Sequence, residues 1–201
     1  MKWIGLTGGI ATGKSTVARL VESRGFKVID ADRVSHQVTA VGEDGYTEIL
    51  KQFGENVLDQ QLKIDRKKLA EIVFNNSDQK KKLESILHPL IQEKVQEAKQ
   101  KEFDNKTKFL FYDVPLLFEN NLQTQFDLTI VVWCDLQTQL NRLIQRNHLD
   151  IPQAQLRINN QMKLSEKIRL AKKCIDNSGS EFELMLVVDQ LLQNFTGVDL
   201  N

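Results

Sequence analysis

Residues Gly8, Gly9, Ile10, Ala11, Thr12, Gly13, Lys14 and Ser15 spell G-x-x-x-x-G-K-[ST], and no other feature restricts the fold of this chain as strongly. Before it runs a short apolar stretch, Trp3, Ile4, Gly5 and Leu6, suited to a buried strand. After it Thr16, Val17, Ala18, Arg19, Leu20 and Val21 carry an apolar stripe at helical spacing. Strand, glycine loop and helix in that order place backbone N–H groups and the positive end of a helix dipole around a polyphosphate. In that geometry Lys14 reaches the outer phosphates and the Ser15 hydroxyl is a magnesium ligand. The reading is a nucleoside triphosphate site; the loop names the ligand class and leaves the reaction open.

A chain of 201 residues buries one sizeable core, with or without a smaller lobe. Its 27 basic and 27 acidic residues cancel, so no whole-molecule field favours nucleic acid or an anionic membrane, and anion affinity has to be local. The basic clusters Arg66, Lys67, Lys68 and Lys80, Lys81, Lys82 read as solvated helix faces. Cys134 and Cys174 have no Cys or His companion at metal-site spacing and are expected as buried, reduced thiols. No stretch approaches the roughly 18 apolar residues of a membrane span, and the expectation is a cytoplasmic protein.

Four further segments read as strands of a mainly parallel sheet: residues 27–30, 109–113, 128–134 and 173–176. Between the second and third strands, residues 45–105 carry apolar positions at helical spacing, including Ile72, Val73, Leu83, Ile86, Leu87, Leu90, Ile91 and Val95. This all-helical insertion exceeds a simple crossover. His88 and Pro89 predict a kink or helix restart within it. Asp135 reads as the N-cap of a helix that places Arg142 and Arg146 on one face.

Phosphoryl transfer requires a triphosphate held in line, cations to offset its charge and a carboxylate to orient the acceptor hydroxyl. Asp30 and Asp32 stand at the carboxyl end of the second strand, where an open parallel sheet meets its ligands; either also suits a helix N-cap. Asp113 reads equally as a magnesium-assisting acid and as a turn cap ahead of Pro115. Arg142 and Arg146 are candidates for closing over the transferring phosphate. His36 and His88 lack evident partners. The run Asn105, Lys106, Thr107, Lys108 ends in lysine where guanine recognition needs aspartate, which disfavours a switch GTPase.

With these residues in view, the chain resembles the dephospho-coenzyme A kinase family over nearly its whole length. Five ordered segments carry the resemblance: residues 4–16; Val28, Ile29, Asp30, Ala31, Asp32; His88, Pro89, Leu90; Asp113, Val114, Pro115, Leu116, Leu117, Phe118, Glu119; and Ile175, Asp176, Asn177, Ser178, Gly179. The resemblance implies a three-layer α/β/α phosphate-loop kinase core with a five-stranded parallel sheet, a helical substrate lobe and a lid. On that basis the core takes residues 1–40, 106–140 and 172–201, the lobe 41–105 and the lid 141–171. It implies transfer of the γ-phosphate of ATP, with Mg2+, to the ribose 3′-hydroxyl of dephospho-CoA, the last step of CoA biosynthesis. Asp32 would then be the base, Lys14 and Arg142 would assist catalysis, and Ser15 would hold the metal. Gly9, Ile10, Ala11, Thr12, Gly13, Lys14, Ser15, Thr16, Arg142 and Asn177 would bind the nucleotide. Thr7, Asp32, His88, Pro115 and Leu116 would serve the acceptor.

Expected partners are these two small molecules, with no nucleic acid or membrane, in a monomer or weak homo-oligomer. The alternatives are another small-molecule kinase on the same core and a nucleotide-binding regulatory module without turnover. Two departures from the family pattern stand out: Ala11 and Thr12 replace the usual glycine and serine, and Lys172 replaces an aspartate before the last strand.

Overall fold

A computed structural model describes residues 1–74 and 76–197; position 75 of the expected lobe and positions 198–201 of the expected core lie outside the described residues. The chain divides into two compact units, one of residues 1–29 and 106–197 and one of residues 30–105.

The first unit is built on a parallel sheet of β1 (Lys2–Gly8), β2 (Lys27–Asp30), β3 (Phe109–Asp113), β4 (Leu128–Trp133) and β5 (Lys173–Asp176), in the order β2-β3-β1-β4-β5. Central β1 pairs with β3 from Lys2 opposite Phe109 and with β4 from Ile4 opposite Leu128. Alternation along β1 sends its side chains to two covered faces, which is why these strands read as continuous apolar runs. Ile4 and Leu6 join Phe111, Ile130, Val132 and Ile175 on one face. There they pack with Val17, Ala18 and Val21 of α1 (Lys14–Ser23) and with Leu184, Val188 and Leu192 of α9 (Glu181–Thr196).

On the opposite face Trp3 stacks with both Tyr112 and Phe126, ring centroids 5.4 and 5.5 Å away, and those two rings lie 6.3 Å from each other. Gly5 belongs to this face because a Cβ there would stand 2.6 Å from Leu117 and 3.0 Å from Phe126. Three helices follow β4: α6 (Leu136–Asn147), α7 (Ile151–Asn159) and α8 (Leu164–Leu170). Asp135 caps α6 as read, its carboxylate accepting from the Thr138 N–H at 2.9 Å, and those bonds hold its pKa below the usual carboxylate value.

The second unit is helical: α2 (Ala31–Val38), α3 (Asp44–Phe53), α4 (Arg66–Phe74) and α5 (Ser77–Asp104), with a short 3-10 turn at Glu55–Val57. Ile49, Val57 and Leu69 form its buried centre. It begins at Asp30, ahead of the lobe boundary drawn at position 41, because α2 packs on α5 and α3. The restart expected at Pro89 does not occur. Proline removes one backbone donor, and a 28-residue helix continues through the loss. Cys134 is buried as expected, whereas Cys174 is exposed at the sheet edge; both are free thiols. Among the described residues no helix is long and apolar enough to cross a membrane.

Candidate active site

The glycine loop joins β1 to α1 as the spacing requires. Gly13, the N-cap of α1, adopts φ +90°, and the first turn carries neither a side-chain cap nor an acidic residue. The amides of Ala11, Gly13, Lys14 and Ser15 accordingly have no protein acceptor among the described residues, leaving donors at the positive end of the helix dipole. Other loop amides are committed. The Ile10 N–H donates to Gln161 Oε1 at 2.8 Å, Thr12 to the Gly9 carbonyl at 3.3 Å, and Thr16 to the Gly13 carbonyl at 2.9 Å.

Side chains from distant elements shape the loop from behind. Gln139 of α6, 2% exposed, donates to the Ile10 carbonyl at 2.7 Å, so both sides of that residue's backbone are held. Asn177, just after β5, donates from Nδ2 to the Thr12 carbonyl at 2.8 Å and packs so tightly on Gly13 that a Cβ there would overlap it. Thr12, fully buried, donates its hydroxyl to the Gly9 carbonyl at 2.9 Å. Ala11 takes φ +60°, a left-handed conformation that glycine adopts at little cost.

Lys14 Nζ pairs with Asp113 Oδ1 at the end of β3, bringing together two residues singled out in the sequence. The Ser15 side chain is exposed and makes no bond to another described residue. Among the described residues no group of three or more His, Cys, Asp or Glu forms a ready metal cage. Thr7, fully buried, donates to the Pro115 carbonyl at 3.0 Å and so ties β1 to the Asp113–Glu119 turn, from whose surface Leu116 projects at 41% exposure.

The two arginines of α6 separate. Arg142 donates to the Asn177 carbonyl at 2.8 Å and lies beside Cys134, whose thiol pKa is pushed up by burial and drawn back by that guanidinium. Arg146 is exposed and, among the described residues, its side chain bonds only to the adjacent Asn147 side chain, at 3.0 Å.

A buried ion pair escaped the sequence reading. Lys167 of α8, 0% exposed, pairs with Glu119 Oε1 at 2.7 Å and donates to the Gly8 carbonyl at 3.1 Å. Glu119 Oε1 also accepts the Met162 N–H at 3.3 Å, while its buried Oε2 has no hydrogen-bond partner among the described residues. Lys167 lies in a polar stretch of sequence that also carries Lys163 and Arg169, and nothing local marks it for burial.

Within the helical unit the two aspartates divide. Asp30 caps α2, its Oδ1 accepting from the N–H groups of Asp32 and Arg33 at 2.8 and 3.1 Å. Asp32, in the first turn, is exposed with a carboxylate that makes no hydrogen bond or ion pair to another described residue. His36 and His88 are likewise exposed.

The dephospho-CoA kinase family model matches residues 2–183. A dephospho-CoA kinase of Oceanobacillus iheyensis is 42% identical over 192 residues, covering 96% of each chain. A crystal structure from Thermus thermophilus superposes with a TM-score of 0.84 at 30% identity over 98% of both chains. A Campylobacter jejuni dephospho-CoA kinase gives 0.67 at 33% identity, covering 96% of this chain and 97% of that one. Matched nearly end to end by the family model and by its relatives, the chain that carries this glycine loop belongs to the dephospho-CoA kinase family.

Proposed function

We propose that the protein transfers the γ-phosphate of ATP to the ribose 3′-hydroxyl of dephospho-CoA, releasing CoA and ADP. The observation that carries the reading is the set of uncommitted amides at Ala11, Gly13, Lys14 and Ser15, built into a chain that fits the family over residues 2–183. Those amides and Lys14 receive the phosphates. Asp32 accepts the 3′-hydroxyl proton as that oxygen bonds to the γ-phosphorus and the bond to the β-phosphate oxygen breaks. Arg142, assigned here as the lid-side cation, donates to the Asn177 carbonyl within the Asp176–Gly179 segment, to which we assign the adenine, while Asn177 itself holds the loop in shape. Thr7, His88, Pro115 and Leu116 are assigned to the acceptor.

The exposed Ser15 hydroxyl and the Asp113 carboxylate beside Lys14 suit magnesium, which prefers one or two protein oxygens together with substrate phosphates. Magnesium bound there supplies charge neutralisation on the triphosphate. The proposed arrangement takes the helical unit, residues 30–105, as the acceptor lobe and 141–171 as a lid in a cytoplasmic enzyme acting as a monomer or weak homo-oligomer, without nucleic acid or membrane partners.

Incubation with magnesium, ATP and dephospho-CoA tests the reaction: CoA and ADP are expected in equal amounts. A panel of shikimate, nucleoside monophosphates and dephospho-CoA separates the reading from another kinase on this core. ATP binding without CoA formation would overturn it.

A further inference from the structure

We propose that Arg66 determines acceptor specificity by binding the 5′-diphosphate of the acceptor while Asp32 faces the ribose 3′-hydroxyl; this rests on the reaction proposed above. Arg66 opens α4, and its Nη2 donates to the Thr39 hydroxyl at 3.2 Å. Thr39 follows the last residue of α2, and positions 32, 36 and 39 fall on one helical face. The guanidinium is thereby anchored on the face of α2 that carries Asp32. Seven residues of helix span about 10 Å, a length comparable to the reach from a ribose 3′-oxygen to the phosphates on its 5′-carbon.

The anchor is a neutral hydroxyl, already engaged as a donor to the Ser35 carbonyl at 2.8 Å. Arg66 forms no ion pair among the described residues. Its sequence neighbour Asp65 is committed elsewhere, accepting the Lys67 and Lys68 N–H groups at 2.9 and 3.2 Å as the cap of α4. Lys68, two positions on, donates to the Leu58 carbonyl at 2.6 Å. Desolvation lowers the Arg66 pKa, and the Asp32 charge only partly opposes it. The residue as a whole remains exposed, so an anion can reach it. A positioned guanidinium, partly stripped of water, without a counterion and with most of its N–H fork unused, suits a diphosphate. Dephospho-CoA carries that group between adenosine and its pantetheine arm.

The test compares Michaelis constants of the purified enzyme and two variants. Arg66→Gln keeps hydrogen-bonding capacity and removes the charge; it should raise KM for dephospho-CoA about tenfold to a hundredfold, the range for a lost charged hydrogen bond. KM for ATP and kcat should stay within about twofold. Arg66→Lys should recover part of the loss, and Asp32→Asn should show the opposite split, with kcat lower by about 10² to 10⁴ and KM little changed. Unchanged KM for dephospho-CoA in Arg66→Gln would overturn the proposal, as would equal increases for both substrates. An inactive wild-type enzyme would count against the reaction instead; calorimetric titration with dephospho-CoA then reads the Arg66→Gln effect directly, and equal affinities would overturn the assignment.

Discussion

Ala11 and Gly13 sit two residues apart in the phosphate loop, both at positive φ, and substitutions at them are expected to act in opposite directions. A left-handed alanine costs about 1–2 kcal/mol, of which glycine's greater freedom in the unfolded chain takes back a part. Ala11→Gly should therefore raise the melting temperature by about 2–4 °C, the shift that 1 kcal/mol produces in a chain of this size. An unchanged or lower melting temperature would show that the loop holds this conformation without strain. Gly13→Ala adds a methyl group where Asn177 already packs, so it should break the Asn177 to Thr12 bond and abolish detectable ATP binding by calorimetry. At this scale the sequence was half legible. Spacing identified Lys14 and Ser15, but only three-dimensional packing shows that the Ile10 amide is committed to Gln161 while the neighbouring amides stay open.

Among the elements, α8 is tied to the glycine loop through one buried charge. Lys167→Met leaves Glu119 in place without its cation, a change that costs about 3–5 kcal/mol when a buried pair is broken from one side. Urea unfolding should show the full loss in Lys167→Met and a smaller one when Glu119→Gln is added; equal midpoints for single and double variants would contradict the pairing. Helix α9 carries a capping box, with Glu183 Oε2 accepting from the Ser180 N–H at 2.7 Å and from its hydroxyl at 2.8 Å.

Those bonds lower the Glu183 pKa. The stabilisation is complete above the unfolded carboxylate pKa, about 4.3, and is lost as pH falls through the lower folded value. Melting temperatures from pH 6 down to pH 3 should thus fall less steeply for Glu183→Gln than for the wild type. Strands and capped helices were legible because apolar runs and capping residues are local signals. Buried Gln139 and Lys167 were not, since each lies on a polar helix and is covered only by parts of the chain far away in sequence.

For the whole molecule, the two units differ in how much apolar structure secures them. The main cluster beside the sheet joins twelve buried residues, whereas the apolar residues that the helical unit buries are Val34, Val38, Ile49, Val57, Leu69 and Val95 among those described, with Val95 alone from the long α5. Native-state hydrogen exchange should therefore find the amides of α3, α4 and α5 opening at lower free energy than those of β1, β3 and β4. Equal protection across both units would mean that the chain opens as one cooperative block. The architecture of the sheet was readable from its strands, and the helical insertion from its periodicity. The start of the second unit at Asp30 was not, because it depends on α2 choosing helical neighbours.

The helical unit leaves the sheet after β2 and returns at β3, and those strands are adjacent in the sheet order. Residues 31–105 thus lie within a single connection, while the glycine loop between β1 and α1 belongs to another stretch of the chain. Such a layout lets one cassette change by insertion, deletion or wholesale exchange, with the glycine loop and its supporting sheet inherited intact.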